Sequence, residues 1–160
     1  MNAQVKASES SIRPMSDADL DRVVVIERGA YEFPWSPGVF RDCLRVGYDC
    51  WVLERPSGID GYGIMHVAVG EAHVLNLCID VAAQGRGLGR ALLGRLVELA
   101  EGARARTVLL EVRPSNYRAR RLYAGMGFNE IGVRRGYYPG RQGREDALVL
   151  VRRLSGPERG

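Results

Sequence analysis

Three glycines share one turn in Gln84-Gly85-Arg86-Gly87-Leu88-Gly89-Arg90, and a carboxylate, Glu111, and a phenol, Tyr123, follow it along the chain. A turn without side chains at three positions lets a diphosphate approach the backbone, where successive N–H groups and an opening helix supply positive potential. That chemistry asks for a phosphorylated cofactor without saying which. Glu111 interrupts the apolar run Thr107-Val108-Leu109-Leu110 and Val112, and a carboxylate inside a strand covered on both faces is costly unless it has a partner or a task. Two roles meet that condition: an ion pair with an arginine, or a general base. Tyr123 is either a core aromatic with a satisfied hydroxyl or a general acid, since a phenol of reference pKa ~10 can donate to a departing thiolate. Cys43, Cys50, Cys78, His66 and His73 lack metal-ligand spacing, and no metal site is expected.

The elements that must position these groups are readable from periodicity and punctuation. Ser10 to Arg13 reads as a short first strand, and Ser16 as the cap of a helix with Leu20, Val23, Val24 and Ile26 on its apolar face. Phe33-Pro34-Trp35 breaks that helix, and Ser36-Pro37 opens a second one carrying Val39, Phe40, Cys43 and Leu44. Cys50 to Glu54, Ile59 to Val69 and Glu71 to Asp80 read as an antiparallel meander of three strands. A helix over Leu88 to Ala103 follows the glycine turn, then a strand over Thr107 to Arg113, stopped by Pro114. Asn116 caps a further helix with Ala119, Leu122, Tyr123 and Met126 on one stripe, closed by Gly127. Two last strands, Phe128 to Tyr137 and Arg144 to Leu154, flank a loop at Pro139 to Gly143.

Composition narrows the class. A chain of 160 residues suits a single domain, with an ordered core over residues 10–154 and a disordered tail from Ser155. Hydrophobic content of 46% against 26% charged is that of a soluble globular protein, and no run approaches a membrane span. The polar N-terminus carries no export signal, so a cytoplasmic location and reduced thiols are expected. The net charge of +4 comes from arginine, Lys6 being the only lysine. Arginine suits phosphate, so nucleic-acid binding has to be weighed. The basic residues are dispersed and lack interleaved aromatics, which favours a solvated surface without direct nucleic-acid binding.

The order is strand, two helices, three strands, helix, strand, helix, two strands: a mixed α/β fold. A dinucleotide fold would place its glycine motif after the first strand, and a Walker loop would follow its glycines with lysine. Here the motif follows the fourth strand. Gln84-Gly85-Arg86-Gly87-Leu88-Gly89 in that position resembles the acetyl-CoA loop of the GNAT N-acetyltransferase superfamily, and the resemblance in topology covers Ser10 to Leu154. It implies the GNAT fold, an α/β (α+β) arrangement with a mixed central sheet of about seven strands and four helices. It implies acetyl-CoA as cosubstrate, its diphosphate on Gly85, Arg86, Gly87, Leu88, Gly89 and Arg90 and its pantetheine arm along Leu77, Cys78 and Ile79, with a contact from Asn116.

Three further segments are similar to the ribosomal-protein alanine N-acetyltransferases, the RimI group. They are Phe33-Pro34-Trp35-Ser36, Leu110-Glu111-Val112-Arg113 with Ser115-Asn116, and Arg134-Arg135-Gly136-Tyr137-Tyr138-Pro139 leading to Gly143-Arg144-Glu145-Asp146-Ala147. This resemblance implies Glu111 as general base and Tyr123 as general acid, with Phe33, Trp35, Tyr137 and Tyr138 lining the acceptor groove. The implied acceptor is the N-terminal alanine of a ribosomal protein, small-subunit protein number eighteen, acetylated by direct transfer in a ternary complex of a monomeric or weakly dimeric enzyme. A basic enzyme acting on a basic substrate calls for a locally acidic groove. The alternatives are a transferase for lysine or a small-molecule amine, and a CoA-sensing module without catalysis.

Overall fold

The computed structural model describes residues 10–154, so the tail expected from Ser155 lies outside the described residues. Among these it holds β1 (Ser11–Pro14), α1 (Leu20–Ala30), α2 (Pro37–Arg45), β2 (Asp49–Arg55), β3 (Gly58–Ala68), β4 (Glu71–Ile79), α3 (Leu88–Gly102), β5 (Thr107–Val112), α4 (Tyr117–Gly125), β6 (Asn129–Gly140) and β7 (Gly143–Arg153). The strands hydrogen-bond in the order β1-β2-β3-β4-β5-β7-β6. β4 and β5 run parallel while β1–β2, β2–β3, β5–β7 and β6–β7 are antiparallel. The seven-stranded mixed sheet and four helices are those expected.

Contacts group the described residues into two compact units, one up to residue 65 with 76–96 and the other of 66–75 with the residues from 97 onward. In the first unit, Leu53, Ala83, Leu88 and Leu92 form a buried cluster against which Ile12, Leu77 and Ile79 pack. Phe40, fully buried, stacks at 5.3 Å on Trp35 and meets Tyr62 edge-on at 5.6 Å. Gly61 is required here by close approach. A Cβ on it would lie 2.5 Å from Ile79 Cδ1 and 2.9 Å from the Cys78 carbonyl, closer than packed atoms tolerate.

The second unit carries the strands that flank Glu111. Residues Glu71 to Val74 of β4 pair with Thr107 to Leu110 of β5, and β5 pairs along its length with β7. Val108, Leu110 and Val112 are buried, so the alternate face is the one that carries Thr107, Leu109 and Glu111. The expected loop at Pro139 to Gly143 is shorter than its composition suggests. Pro139 pairs with Arg144 and Gly140 with Gly143, leaving a two-residue turn. Proline is tolerated because β6 ends the strand order and is therefore an edge strand. Tyr138 thus belongs to the ladder, opposite Glu145, beyond an irregularity between Arg134 and Tyr138 that Gly136 takes up at φ 59°.

Helix entry also departs in detail from expectation. After Ser16 the chain makes a 3₁₀ turn over Asp17–Asp19 before α1 begins. The Ser16 N–H donates to Asp19 Oδ2 at 2.8 Å, and Arg13 bridges Asp19 with both terminal nitrogens at 2.9 Å. The Arg13 guanidinium holds the buried Asp19 carboxyl below the usual carboxylate range. A depressed folded pKa contributes stability above the unfolded value that is lost as pH falls through the folded one. Asp19→Asn should therefore lower stability at pH 7 by about 1–3 kcal/mol. The gap to the unsubstituted protein should close as pH drops below the Asp range, as urea midpoints at both pH values would show.

Candidate active site

Strand parity gathers the site on one face of the second unit. His73 on β4 registers with Leu109, and Glu111 is the next residue of β5 on that face. Glu111 registers with Val149 of β7, whose same-face neighbour Ala147 registers with Arg134 of β6. Side chains from two strands, β4 and β6, therefore converge on the carboxylate of β5. His73 Nε2 lies 2.6 Å from Glu111 Oε1, and Arg134 Nε lies 3.4 Å from Oε2. The Glu111 side chain is only 4% exposed, and its Oε2 is buried without a hydrogen bond of ordinary geometry. The arginine partner weighed from sequence is present, beside the second oxygen. The carboxylate is held by His73 through one oxygen, and the other is buried beside Arg134.

The paired tyrosines frame that carboxylate. Burial raises the Tyr137 hydroxyl above its ordinary value, the Glu111 charge adding to the effect and Arg134 opposing it. The Tyr138 hydroxyl is raised further, by burial first and then by Tyr137, Glu111 and Tyr123. Tyr123, Tyr137, Tyr138 and Glu111 therefore share one electrostatic neighbourhood, and both tyrosine pair members remain protonated donors near neutrality. Tyr123 is buried on α4 and packs at 5.8 Å on Phe128.

A network at the end of β5 fixes the hairpin that carries the tyrosines. Arg113 Nη1 donates to the Pro139 carbonyl at 2.9 Å and to Glu145 Oε1 at 2.6 Å, with its guanidinium 4.4 Å from the Tyr138 ring. Ser115 Oγ donates to Glu145 Oε2 at 3.2 Å, and Asp146 accepts from the Gly136 N–H at 2.9 Å. The carboxylates of the locally acidic groove expected from sequence have cations among them. Glu145 and Glu111 each have an arginine beside them, because carboxylates this sheltered need compensation.

The expected cofactor residues Leu77 to Arg90, with Phe33 and Trp35, belong to the first unit, and Asn116 to the second. Gly85 and Gly87 take φ of 82° and 79°, and no heavy atom lies within 4 Å of a Cβ at either. Side chains are excluded there by conformation, and the backbone is left open before the first turn of α3. That arrangement fits a diphosphate. Gln84 Nε2 ties the turn to the Ile79 carbonyl at 3.2 Å, and the Tyr31 hydroxyl donates to the Leu77 carbonyl at 3.1 Å. Burial pushes the Cys78 thiol up to about 11, so it stays protonated at neutral pH. Asn116 caps α4 by accepting from the Ala119 N–H at 3.2 Å. Phe33 is exposed and Trp35 half-buried against Phe40.

Three functional neighbours escaped the sequence. His73 and Arg134 reach Glu111 only through strand register. Glu27, the third, is a fully buried carboxylate on the apolar side of α1. Its visible signal was a charge at i+3 and i+4 from Val24 and Val23, on the stripe that the helix buries. Among the described residues no group of three or more His, Cys, Asp or Glu side chains could hold a metal ion, and no helix is long and apolar enough to cross a membrane.

Residues 20–128 match the profile of the acetyltransferase (GNAT) family. The chain is 37% identical over 91% of its length, and 99% of the relative's, to a [ribosomal protein bS18]-alanine N-acetyltransferase of Escherichia coli K12. It is 37% identical over 89% of its length, and 97% of the relative's, to the enzyme of the same name from Haemophilus influenzae. The crystal structure of the ribosomal-protein-S18-alanine N-acetyltransferase from Escherichia coli superposes with a TM-score of 0.86, at 36% identity, covering 94% of this chain and 97% of that one. Arabidopsis thaliana NAA60, solved with a bisubstrate analogue, shares the fold at 21% identity and a TM-score of 0.83, covering 92% and 99% of the two chains.

Glu27 anchors the Phe33-Pro34-Trp35 segment. Its Oε2 accepts from the Trp35 N–H at 2.8 Å, while Oε1 accepts from Asn76 Nδ2 at 2.9 Å and from the Tyr62 hydroxyl. Burial pushes the Tyr62 hydroxyl far above its ordinary value and keeps it a donor. Glu27→Ala should leave three donors, the buried Tyr62 hydroxyl among them, without their acceptor and cost about 3–5 kcal/mol. Urea unfolding is the measurement, and a loss under about 1 kcal/mol would mean that the anchoring role is wrong.

Proposed function

This chain belongs to the acetyltransferase (GNAT) family, and from that premise we propose that it is an acetyl-CoA-dependent enzyme that acetylates the N-terminal alanine of ribosomal protein bS18. The acceptor is supported by the relatives of that name, 37% identical over 91% of the chain. The observation that carries the chemistry is Glu111, a buried carboxylate with one oxygen bound and the other without a hydrogen bond.

Acetyl-CoA supplies the acetyl group as an activated thioester, held by Leu77, Cys78, Ile79, the backbone of Gly85 to Arg90, and Asn116. Glu111 removes a proton from the acceptor ammonium, because only a neutral amine attacks a carbonyl. The demand on it is modest. An α-amine of pKa ~8 is already about a tenth neutral near pH 7, whereas a lysine at ~10.4 is neutral to less than about one part in a thousand. Tyr123 protonates the departing thiolate. Tyr137 and Tyr138 grip the acceptor peptide, and the Arg113–Glu145 network holds the tyrosine hairpin in place.

Transfer is direct. An acyl-cysteine route would need a thiolate, and Cys78 has its thiol raised by burial to about 11. The test is mass spectrometry of a bS18 N-terminal peptide incubated with enzyme and acetyl-CoA. One acetyl group should appear on the alanine α-amine, Glu111→Gln should lower kcat by about 100-fold or more, and Tyr123→Phe by at least about 10-fold. Label confined to lysine, or full activity in both variants, refutes the proposal.

A further inference from the structure

We infer that Arg22 is a positioning residue for acetyl-CoA, acting through Asp80 to hold the glycine turn in the form that receives the diphosphate. The inference rests on Gly85 to Arg90 being the cofactor turn. Arg22 stands in the first turn of α1, and Asp80 directly follows the last residue of β4. The Arg22 Nη2 donates to Asp80 Oδ2 at 2.5 Å, and its Nε donates to the Ile59 carbonyl of β3 at 3.0 Å. The bond to Ile59 orients the guanidinium plane, and the ion pair then fixes Asp80. Asp80 passes the constraint on. Its Oδ1 accepts from the Ala82 N–H at 3.3 Å, its carbonyl accepts from the Ala83 N–H at 2.8 Å, and its own N–H donates to the Asp60 carbonyl at 2.7 Å. The 3₁₀ turn over Val81–Ala83 therefore starts from a residue held by side chain and backbone alike.

The turn needs such a tie because its glycines do not hold themselves. A Cβ at Gly85 or Gly87 would meet no heavy atom within 4 Å, so packing does not select their conformation. Glycine also loses more conformational freedom than any other residue when one form is chosen. A diphosphate bound by successive N–H groups needs them aimed together, and a turn already aimed binds more tightly than one the ligand must order. Order has to come from the two ends. On the far side Leu88 and Leu92 of α3 are buried with Leu53 and Ala83. On the near side Ala83 shares that cluster, and Gln84 Nε2 donates to the Ile79 carbonyl at 3.2 Å. Asp80 adds a tie to α1, through a residue 58 positions away in sequence.

The guanidinium is placed as a support and not as a phosphate ligand. Its charge is matched by Asp80, and its Nε and Nη2 donors are committed. The pair is also partly sheltered, with side chains 40% and 24% exposed, against 72% and 68% for the surface pair of Arg45 and Asp42. Solvent therefore screens it less than an ordinary surface pair. Asp60, whose carbonyl receives the Asp80 N–H, has a cation of its own in Arg55, at 2.6 Å, and does not draw on Arg22.

Arg22→Gln and Asp80→Asn remove the ion pair from either side and leave polar side chains in place. Calorimetric binding of CoA and steady-state kinetics with the bS18 peptide read the effect. Each variant should weaken CoA binding and raise the acetyl-CoA KM by about 5- to 20-fold, with kcat at saturation and the peptide KM within about twofold. The double variant should be no weaker than the poorer single one, because both changes remove the same contact. Asp19→Asn, which breaks the Arg13 pair instead, controls for a general loss of stability and should leave the acetyl-CoA KM unchanged. An equal rise in Asp19→Asn, or unaltered CoA affinity in Arg22→Gln, would overturn the inference. So would a loss in Arg22→Gln that Asp80→Asn does not share, which is the pattern of a direct phosphate ligand. If the unsubstituted protein binds no CoA, the cofactor reading itself fails; if it binds CoA and the variants bind it equally well, only the positioning role fails.

Discussion

A buried carboxylate that must stay paired is the constraint on which the second unit depends. Glu111 is an interior strand residue almost removed from solvent, and an uncompensated charge there would cost several kcal/mol. Compensation comes from β4 through His73 and from β6 through Arg134, so the registers of β4, β5, β7 and β6 are linked to the same side chain. A slip of one residue in any of them would turn a partner to the opposite face. Packing of Val108, Leu110 and Val112 on the other face holds the same registers. The chemistry and the core are thus satisfied by one alignment.

The two buried glutamates show how environment divides one residue type between tasks. Glu27 has both oxygens occupied, by a backbone amide, a carboxamide and a phenol. Nothing about it is available for reaction, and its effect is to fix Phe33-Pro34-Trp35 against α1. Glu111 has one oxygen against His73 and the other buried beside Arg134 without a hydrogen bond of ordinary geometry. The first is fully satisfied and the second is not.

The aromatic hairpin follows the same economy of contacts. Tyr137 and Tyr138 stand edge-to-face at 4.8 Å, each with an arginine against its ring, Arg134 for the first and Arg113 for the second. Those arginines also meet Glu111 and Glu145. The cations that neutralise the carboxylates therefore also set the positions of the rings.

Much of this was legible in the chain. Apolar periods, the Ser36-Pro37 and Asn116 starts and the Gly127 stop define helices because they act within a few residues, and Gly85 and Gly87 announce a turn that only glycine accepts readily. Glu111 stood out because a charge in an apolar strand is anomalous on local grounds alone. The short turn after Pro139 was not legible, since turn-forming composition cannot reveal that an edge strand tolerates proline and continues to Gly140. Nor was His73, 38 residues from its partner, or the choice of Trp35, Asn76 and Tyr62 as donors to Glu27. Sequence by itself determined which groups were available and the local elements that carry them, because those depend on neighbours in the chain. Only tertiary structure decided which side chain meets each oxygen of Glu111, because that depends on register between strands far apart in sequence.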